Sequence, residues 1–437
     1  MWTVPCFRAA GTVARKFDKA PRVKIVLWHG YLLGGTGSNV YTRALARAWS
    51  RLGHEVVIVC QERNPGAYDL GGARVVRPEL PDNVMPVFVV DRYEGLEPRL
   101  LQDLSAAERE RYVEANAAAV RAELPADLVF ANHVLLGGPV AAAAGAPYAI
   151  KAHGSELEYS MRGNEELAAW GRRSLERAGA VFVGSAHIRS VLEDIVGHVD
   201  RVYEVPPGVD VDEFAPEDRG EALARLLEEA RDDPPNPANA AERLPDEGNA
   251  ERFAAWFESD EPTVLYFGKL LYNKGVHVLF EALREAGARA VIVGFGDYRG
   301  ELERIAPPRT LFAGPLEHRH LVHLIPLCEV TVVPSIFPEA FGMVAAEAAA
   351  AGSLPLVARH SGLAEIADGL AAEYPDDLRA LTSFETNDAR DLAAKLGRLL
   401  ELPEEDRQRL RKAARAAVEA NWSWENVSAR LLQPFTD

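Results

Sequence analysis

Short apolar runs alternate along the chain with segments whose apolar positions recur every three or four residues. That alternation predicts a parallel sheet flanked by helices. VKIVLWHG (23–30) reads as a first buried strand, GGTGSN (34–39) as a turn, and VYTRALARAWSRLG (40–53) as an amphipathic helix. EVVIVCQE (55–62) reads as a second strand. LVFANH (128–133), YAIKAHG (148–154) and AVFVGSA (180–186) follow as strands, each ending in polar or glycine residues. In an open α/β sheet these strand ends are where ligands bind. A second series begins near residue 262, with PTVLYFGKL (262–270), AVIVGFG (290–296), TLFAG (310–314), VTVVPS (330–335) and LPLVA (354–358). No short repeat period is visible, which argues against a solenoid.

Between the two series lies VPPGVDVDEF (205–214), rich in turn residues, which places a boundary near 208–216. The pattern therefore predicts two consecutive nucleotide-binding-like α/β domains facing each other across a cleft. The expected division is an N-terminal domain at 1–208, a linker with an insertion at 209–261, a second domain at 262–415, and a terminal helix at 416–437. Residues 217–261 hold fourteen Asp or Glu against five Arg, with Pro234, Pro235, Pro237 and Pro245 among them. Such a composition reads as a solvated, partly disordered insertion.

Composition narrows the function. The chain has 437 residues, 48% of them hydrophobic, too long for one ordinary core. A net charge of −17 argues against nucleic acid and against bulk attraction to anionic membranes. The first residues hold no apolar run long enough for a signal peptide, and no apolar run of about 18 residues suggests a membrane span. Cys6, Cys60 and Cys328 are far apart, so a reducing cytoplasm and no cysteine-based metal site are expected.

Four segments carry candidate chemistry. Gly34, Gly35, Thr36 and Gly37 let backbone amides approach an anion at a helix N-terminus. The same loop reads as a dinucleotide site, with Glu62 placed for a ribose, although Val40 stands where a third glycine belongs; it also reads as a plain turn. In GKLLYNKG (268–275), Lys269 and Lys274 follow a strand end, with Gly268 and Gly275 keeping the backbone close. They are either solvated surface lysines or a diphosphate grip. In KAHGSE (151–156), His153 stands at the expected cleft edge, as a structural or a polar-site residue. His318, His320 and His323 have a spacing compatible with a metal, but the segment reads better as the exposed start of a helix, with no metal site.

The fifth segment is FPEAFGMVAAEAA (337–349). Pro338 and Gly342 predict that Glu339 lies before a helix start and Glu347 inside the helix. Eight helical residues span about 12 Å and about 80° of rotation. That is too far for carboxyls sharing a proton at about 3 Å. It also exceeds the roughly 5–5.5 Å of a retaining hydrolase pair and disfavours the roughly 6.5–9.5 Å of an inverting one. The spacing suits one elongated, hydroxyl-rich ligand held at two points, or else one capping and one surface glutamate.

Together these segments resemble the retaining glycosyltransferases of family 4, which have the GT-B fold. The resemblance covers roughly 22–215 and 262–430. PSIFPEAFGMVAAEAAAAG (334–352) resembles the family's paired-glutamate segment, GKLLYNKG its basic motif, GGTGSN its first glycine loop, and KAHGSE its His-Gly-x-Glu segment. PPGVD (206–210) resembles its interdomain turn and NWSWENVSARLL (421–432) its last helix, which crosses back to the first domain. Two departures stand out. GSLP (352–355) is one residue longer than the common form and is similar to bacterial glycogen synthases, and ARHSGLAEI (358–366) has Ser361 where a glycine is usual. Leu33, where glycogen synthases carry a lysine, and Glu347 keep the resemblance with family 4.

The resemblance implies roles position by position. Lys269 and Lys274 would bind the diphosphate of a nucleotide sugar, with Gly268 beside them. Glu347 would take the ribose hydroxyls and Glu339 those of the transferred hexose. Backbone amides of Phe341 and Gly342 would add to phosphate or sugar binding, and main chain at Leu316 would hold the base. Gly34, Gly35 and Gly37 would bring the first loop close to the donor, and His153 would lie near the transferred sugar. The reaction would keep the anomeric configuration, with the leaving phosphate deprotonating the acceptor and no metal or other cofactor. The donor would be a UDP- or GDP-sugar, and the acceptor a sugar, small molecule, glucan or lipid-linked hydroxyl, met by loops such as 61–100 and 131–139. A nicotinamide oxidoreductase or a non-catalytic sugar-binding protein are the alternative classes.

Overall fold

The computed structural model describes residues 22–35, 37–89, 93, 95–236 and 244–436; Cys6 and Thr36 lie outside them. The apolar runs form two separate, wholly parallel sheets. The first has seven strands in the spatial order Arg74–Val76, Glu55–Val59, Lys24–Trp28, Leu128–Asn132, Tyr148–Lys151, Ala180–Val183 and Val202–Glu204. The second has six, in the order Thr310–Gly314, Arg289–Val293, Thr263–Phe267, Val330–Val333, Leu354–Ala358 and Ser383–Phe384. Most central strands are fully buried, because helices cover both faces, and their sequences are accordingly dominated by Val, Ile, Leu, Phe and Ala.

Both sheets wind outwards from their first strand in two directions. Chain order therefore reverses between Lys24–Trp28 and Leu128–Asn132 in one sheet, and between Thr263–Phe267 and Val330–Val333 in the other. Loops leave the sheet on opposite sides at such a point and open a crevice at the strands' carboxyl ends. The glycine loop and His133 follow the first pair, and Lys269, Lys274 and Glu339 follow the second. The last helix, Trp424–Thr436, packs on the first domain. Trp49 donates its indole N–H to the Ser428 carbonyl at 3.0 Å, and Val427 and Leu431 are buried with Ile25 and Leu27. The bare Cα of Gly208 lets the Trp424 ring lie against the crossover, since a Cβ there would meet the ring at 2.5 Å.

The acidic stretch is not the solvated insertion that its composition suggests. Arg219–Arg231 and Asn249–Phe257 are helices, and Ala222, Leu226, Phe253 and Phe257 are buried in the core of the second domain. On these helices Glu221, Glu228 and Glu251 are exposed, while apolar residues four apart share the inner face. Residues 237–243 lie outside the described set. The histidine segment is likewise not simply an exposed helix start. His320 is fully buried, and the three imidazoles each face a different carboxylate: Glu213 at 2.6 Å from His318, Asp233 at 3.0 Å from His320, and Glu217 at 2.7 Å from His323. Cys60 and Cys328 are buried free thiols in separate domains.

Candidate active site

The second-domain half is built on two loops that leave adjacent strands. After Phe267 the chain turns through Gly268, whose φ is +154°, and exposes Lys269. Among the described residues Lys269 has no ion-pair or hydrogen-bond partner for its ammonium group. A single turn over Tyr272–Lys274 then ends at Gly275. A Cβ on Gly275 would fall 1.9 Å from the Pro334 carbonyl, so only glycine lets this turn press against the loop after Val330–Val333. The two loops are also tied by Ile336 N donating to the Asn273 carbonyl at 3.0 Å. The result is direct contact between two predicted site residues: Lys274 Nζ lies 2.5 Å from Glu339 Oε1.

Glu339 precedes the helix, which begins at Met343 and ends at Ala351, and Glu347 lies within it, as the sequence predicts. Its backbone is held from the helix Ser361–Glu373. Glu339 N donates to Ser361 Oγ at 2.9 Å, and Gly362 N donates to the Glu339 carbonyl at 3.0 Å. Ser361 has φ +46°, which accounts for the usual glycine there; its hydroxyl supplies an acceptor that glycine lacks. His360 completes the cluster, with Nε2 2.7 Å from the Ser335 carbonyl and Nδ1 2.9 Å from Ser361 Oγ.

Glu347 has no donor within hydrogen-bonding distance among the described residues. Burial pushes its carboxyl up to about 7, against a smaller opposing pull from His318. A buried carboxyl without a donor keeps its proton to higher pH than an exposed one. Phe341 is buried with its ring 5.7 Å from that of Trp422, and Gly342 (φ +121°) leads into the helix. Leu316 is partly buried in the loop after Thr310–Gly314, two residues before His318.

In the first domain, the helix starts at Gly37 rather than Val40, so Gly37, Ser38 and Asn39 belong to its first turn. Gly34 packs against the tip of Tyr68, whose hydroxyl a Cβ would meet at 2.5 Å, while Gly35, at φ +93°, leaves open space beside it. Glu62 is occupied by this loop, accepting from Leu33 N at 3.2 Å and Asn64 N at 2.9 Å, so the acid that a dinucleotide site would need for a ribose is a brace instead. Asn39 donates to the Gly34 carbonyl at 2.5 Å and meets His29 Nε2 at 2.8 Å. The rings of His29, His133 and His153 then run in sequence, with centroids 5.9 Å and 4.6 Å apart.

His153 Nε2 lies 3.1 Å from Asn132 Oδ1. Burial, with His133, Lys151 and His29 close by, pushes His153 well below its ordinary value, so the ring is neutral near pH 7. Glu156 places it. This fully buried carboxylate accepts from the amides of Val134 at 2.9 Å, Leu135 at 3.0 Å and His153 at 3.0 Å. Lys151 is structural: its ammonium donates to the Val205 carbonyl at 2.6 Å, and burial pushes it down to about 7.

Lys269, Lys274, Glu339, Phe341, Gly342 and Gly268 are thus gathered at one crevice, and His153 and the glycine loop at the other. Among the described residues no hydrogen bond or ion pair joins the His153 set to Lys274 or Glu339. The sequence shows Glu156 only as part of the His-Gly-x-Glu segment and Ser361 only as a departure from glycine, and it gives no bracing role to either or to Gly294 and Gly296. The last two let the loop after Arg289–Val293 pack on the Lys269 loop, since a Cβ would meet Gly268 O at 1.8 Å and Leu270 O at 2.3 Å respectively. The signal was present in GFG directly after a strand.

Comparison with known proteins fits this division. Residues 36–208 match the glycosyl transferase 4-like domain, and residues 249–417 match the glycosyl transferases group 1. The chain belongs to the family 4 glycosyltransferases, of GT-B fold. It is similar to a D-inositol 3-phosphate glycosyltransferase of Xylanimonas cellulosilytica, 31% identical over 57% of this chain and 55% of that one. A GDP-mannose-dependent α-(1-6)-phosphatidylinositol monomannoside mannosyltransferase of Mycolicibacterium smegmatis is 28% identical over 68% of this chain and 72% of that one. The chain thus spans about half the length of the first of these relatives. In fold it is similar to a sucrose-phosphate synthase from Thermosynechococcus elongatus, with TM-score 0.65, 22% identity, and 94% and 98% of the two chains covered. An Anabaena protein, HepE, solved with UDP and glucose, aligns with TM-score 0.66 at 15% identity over 95% of this chain and 100% of that one. No helix among the described residues is long and apolar enough to cross a membrane.

Proposed function

We propose that the protein is a retaining glycosyltransferase that moves a hexosyl group from a nucleotide diphosphate sugar to a hydroxyl acceptor. Relatives that use GDP-mannose and a fold neighbour solved with UDP and glucose support a UDP- or GDP-sugar donor. The observation that carries the reading is the Lys274–Glu339 pair, set beside the unpartnered Lys269 at the chain-reversal crevice of the second sheet.

In this reading Lys269 and Lys274 face the diphosphate and neutralise the charge that grows as the glycosidic bond breaks. The backbone at Gly268 lies beside them, and amides of Phe341 and Gly342 add donors near a helix N-terminus. Glu339, held by Lys274 on one side and Ser361 on the other, accepts from hydroxyls of the hexose. Glu347 accepts from the ribose, and main chain at Leu316 meets the base. The neutral His153 contacts the transferred sugar from the first domain, and Gly34, Gly35 and Gly37 let that loop approach. The leaving phosphate takes the acceptor proton on the same face, which preserves the anomeric configuration and uses no metal or other cofactor. The acceptor side is the first domain, with a sugar, small molecule, glucan or lipid-linked hydroxyl. The test is the anomeric configuration of the first-formed product, read by proton NMR from an α-linked donor. An α product supports retention, and a β product overturns it.

A further inference from the structure

Glu365 belongs to the second domain, but its carboxylate lies against the first. It accepts from Ala186 N at 3.2 Å and from His187 N at 3.3 Å. These are the first two amides of the helix Ala186–Val196, and Ser185 Oγ takes the third, from Ile188, at 3.2 Å. Helix-initial amides have no partner within their own helix. Here all three are satisfied, two of them by a residue reaching over from the other domain.

The helix that carries Glu365 is also the one that holds Glu339. Ser361 and Gly362, in its first turn, grip the Glu339 amide and carbonyl. The grip is close: a Cβ on Gly362 would fall 2.6 Å from both the Ala340 carbonyl and Phe341 Cα. Ser361 and Glu365 are four residues apart and so share one face of the helix. One helix face therefore touches both the first domain and the backbone of the proposed hexose-binding acid.

We propose that Glu365 is a positioning residue: its carboxylate, seated on the N-terminus of the helix Ala186–Val196, latches the two domains, and through Ser361 and Gly362 the latch fixes where Glu339 stands in the cleft. The catalytic consequence rests on the proposed role of Glu339; the latch itself does not.

Two variants of the full chain test it from opposite sides. Glu365→Ala removes the acceptor. Ala186→Pro removes one donor at a position where proline suits a helix start, after a residue, Ser185, that is already extended. Glu373→Ala, on an exposed site of the same helix, is the control. Small-angle X-ray scattering without substrate reads the domain opening, and steady-state transfer reads the coupling. The expected result is a larger radius of gyration in both variants, a fall in kcat of about tenfold, and a donor KM within about twofold of wild type, with the control unchanged. The KM holds because Lys269, Lys274 and Glu347 all lie in the second domain. An unchanged radius of gyration in both variants overturns the latch, whatever the kinetics. Opening with unchanged kcat overturns the coupling to Glu339. Opening in a protein whose wild type transfers no sugar leaves the latch standing and overturns the proposed function instead.

Discussion

Lys274 and Glu339 form an ion pair, 2.5 Å between Nζ and Oε1, that joins the loops leaving two neighbouring strands of the second sheet. Each side chain is less than a third exposed. The pair holds one lysine against the acid, while the Lys269 ammonium has no ion-pair or hydrogen-bond partner among the described residues. If Lys274 binds the donor diphosphate as proposed, Lys274→Ala removes that contact and frees Glu339 at once, so kcat/KM should fall by roughly 10²–10³. In a double-mutant cycle of unfolding in urea, Lys274→Ala and Glu339→Gln should couple by about 1 kcal/mol. Strict additivity would show that the pair is incidental.

Glu347 gives a pH dependence whose sign is fixed. Its carboxyl lies near 7 in the folded chain against an ordinary 4.5, because burial disfavours the charge. The folded state therefore holds an extra proton between those values, and stability falls as pH rises through that window. Glu347→Gln should raise stability above pH 7 by up to about 3 kcal/mol, measured by urea unfolding at pH 5 and pH 8. Donor affinity runs the other way. The ionised form is the better acceptor, so donor KM should drop roughly five-fold from pH 6 to pH 8 in wild type and stay flat in the variant. A flat wild-type profile would remove Glu347 from the ribose.

Ser361 combines a left-handed backbone with a hydroxyl that holds Glu339. Ser361→Ala keeps the unfavourable φ and loses the bond, at about 1–2 kcal/mol. Ser361→Gly loses the bond but relieves the backbone, so its stability should stay within about 1 kcal/mol of wild type while kcat drops in both variants. Equal melting temperatures for alanine and glycine would contradict the assignment of strain.

Glu156 carries no proposed contact with substrate, yet it holds three amides around His153. Glutamine offers one acceptor oxygen where the carboxylate offers two. Glu156→Gln should cost about 2–3 kcal/mol in urea unfolding and lower kcat through His153. A stability change below about 0.5 kcal/mol would show that the network is loose.

The buried strands were legible because short, mostly apolar runs such as Lys24–Trp28 and Thr263–Phe267, bounded by turn residues, are what a covered parallel sheet asks for. The edge strands Arg74–Val76, Val202–Glu204 and Ser383–Phe384 were not, since two or three residues give no period to read. The acidic stretch misled by composition: charge dominated the average, while the four-residue spacing of Ala222 with Leu226, and of Phe253 with Phe257, held the helical signal. At the site, the basic and acidic motifs are local in sequence and could be found there. The grips that orient them are not. Glu339 depends on Ser361, and His153 on Asn132, contacts that only the folded sheet brings together.

The central claim is that Lys269, Lys274 and Glu347 together hold a nucleotide diphosphate sugar. The most direct measurement is thermal unfolding of wild type and of Lys269→Ala, Lys274→Ala and Glu347→Ala against UDP-, GDP- and ADP-sugars, with NAD as the control. Binding to the folded state adds about 2.7 kcal/mol of stability at a ligand concentration a hundred times Kd. At least one nucleotide sugar should raise the wild-type Tm and shift each variant less, with NAD silent. A Tm rise with NAD and none with any nucleotide sugar, or a donor shift untouched by all three substitutions, would contradict it.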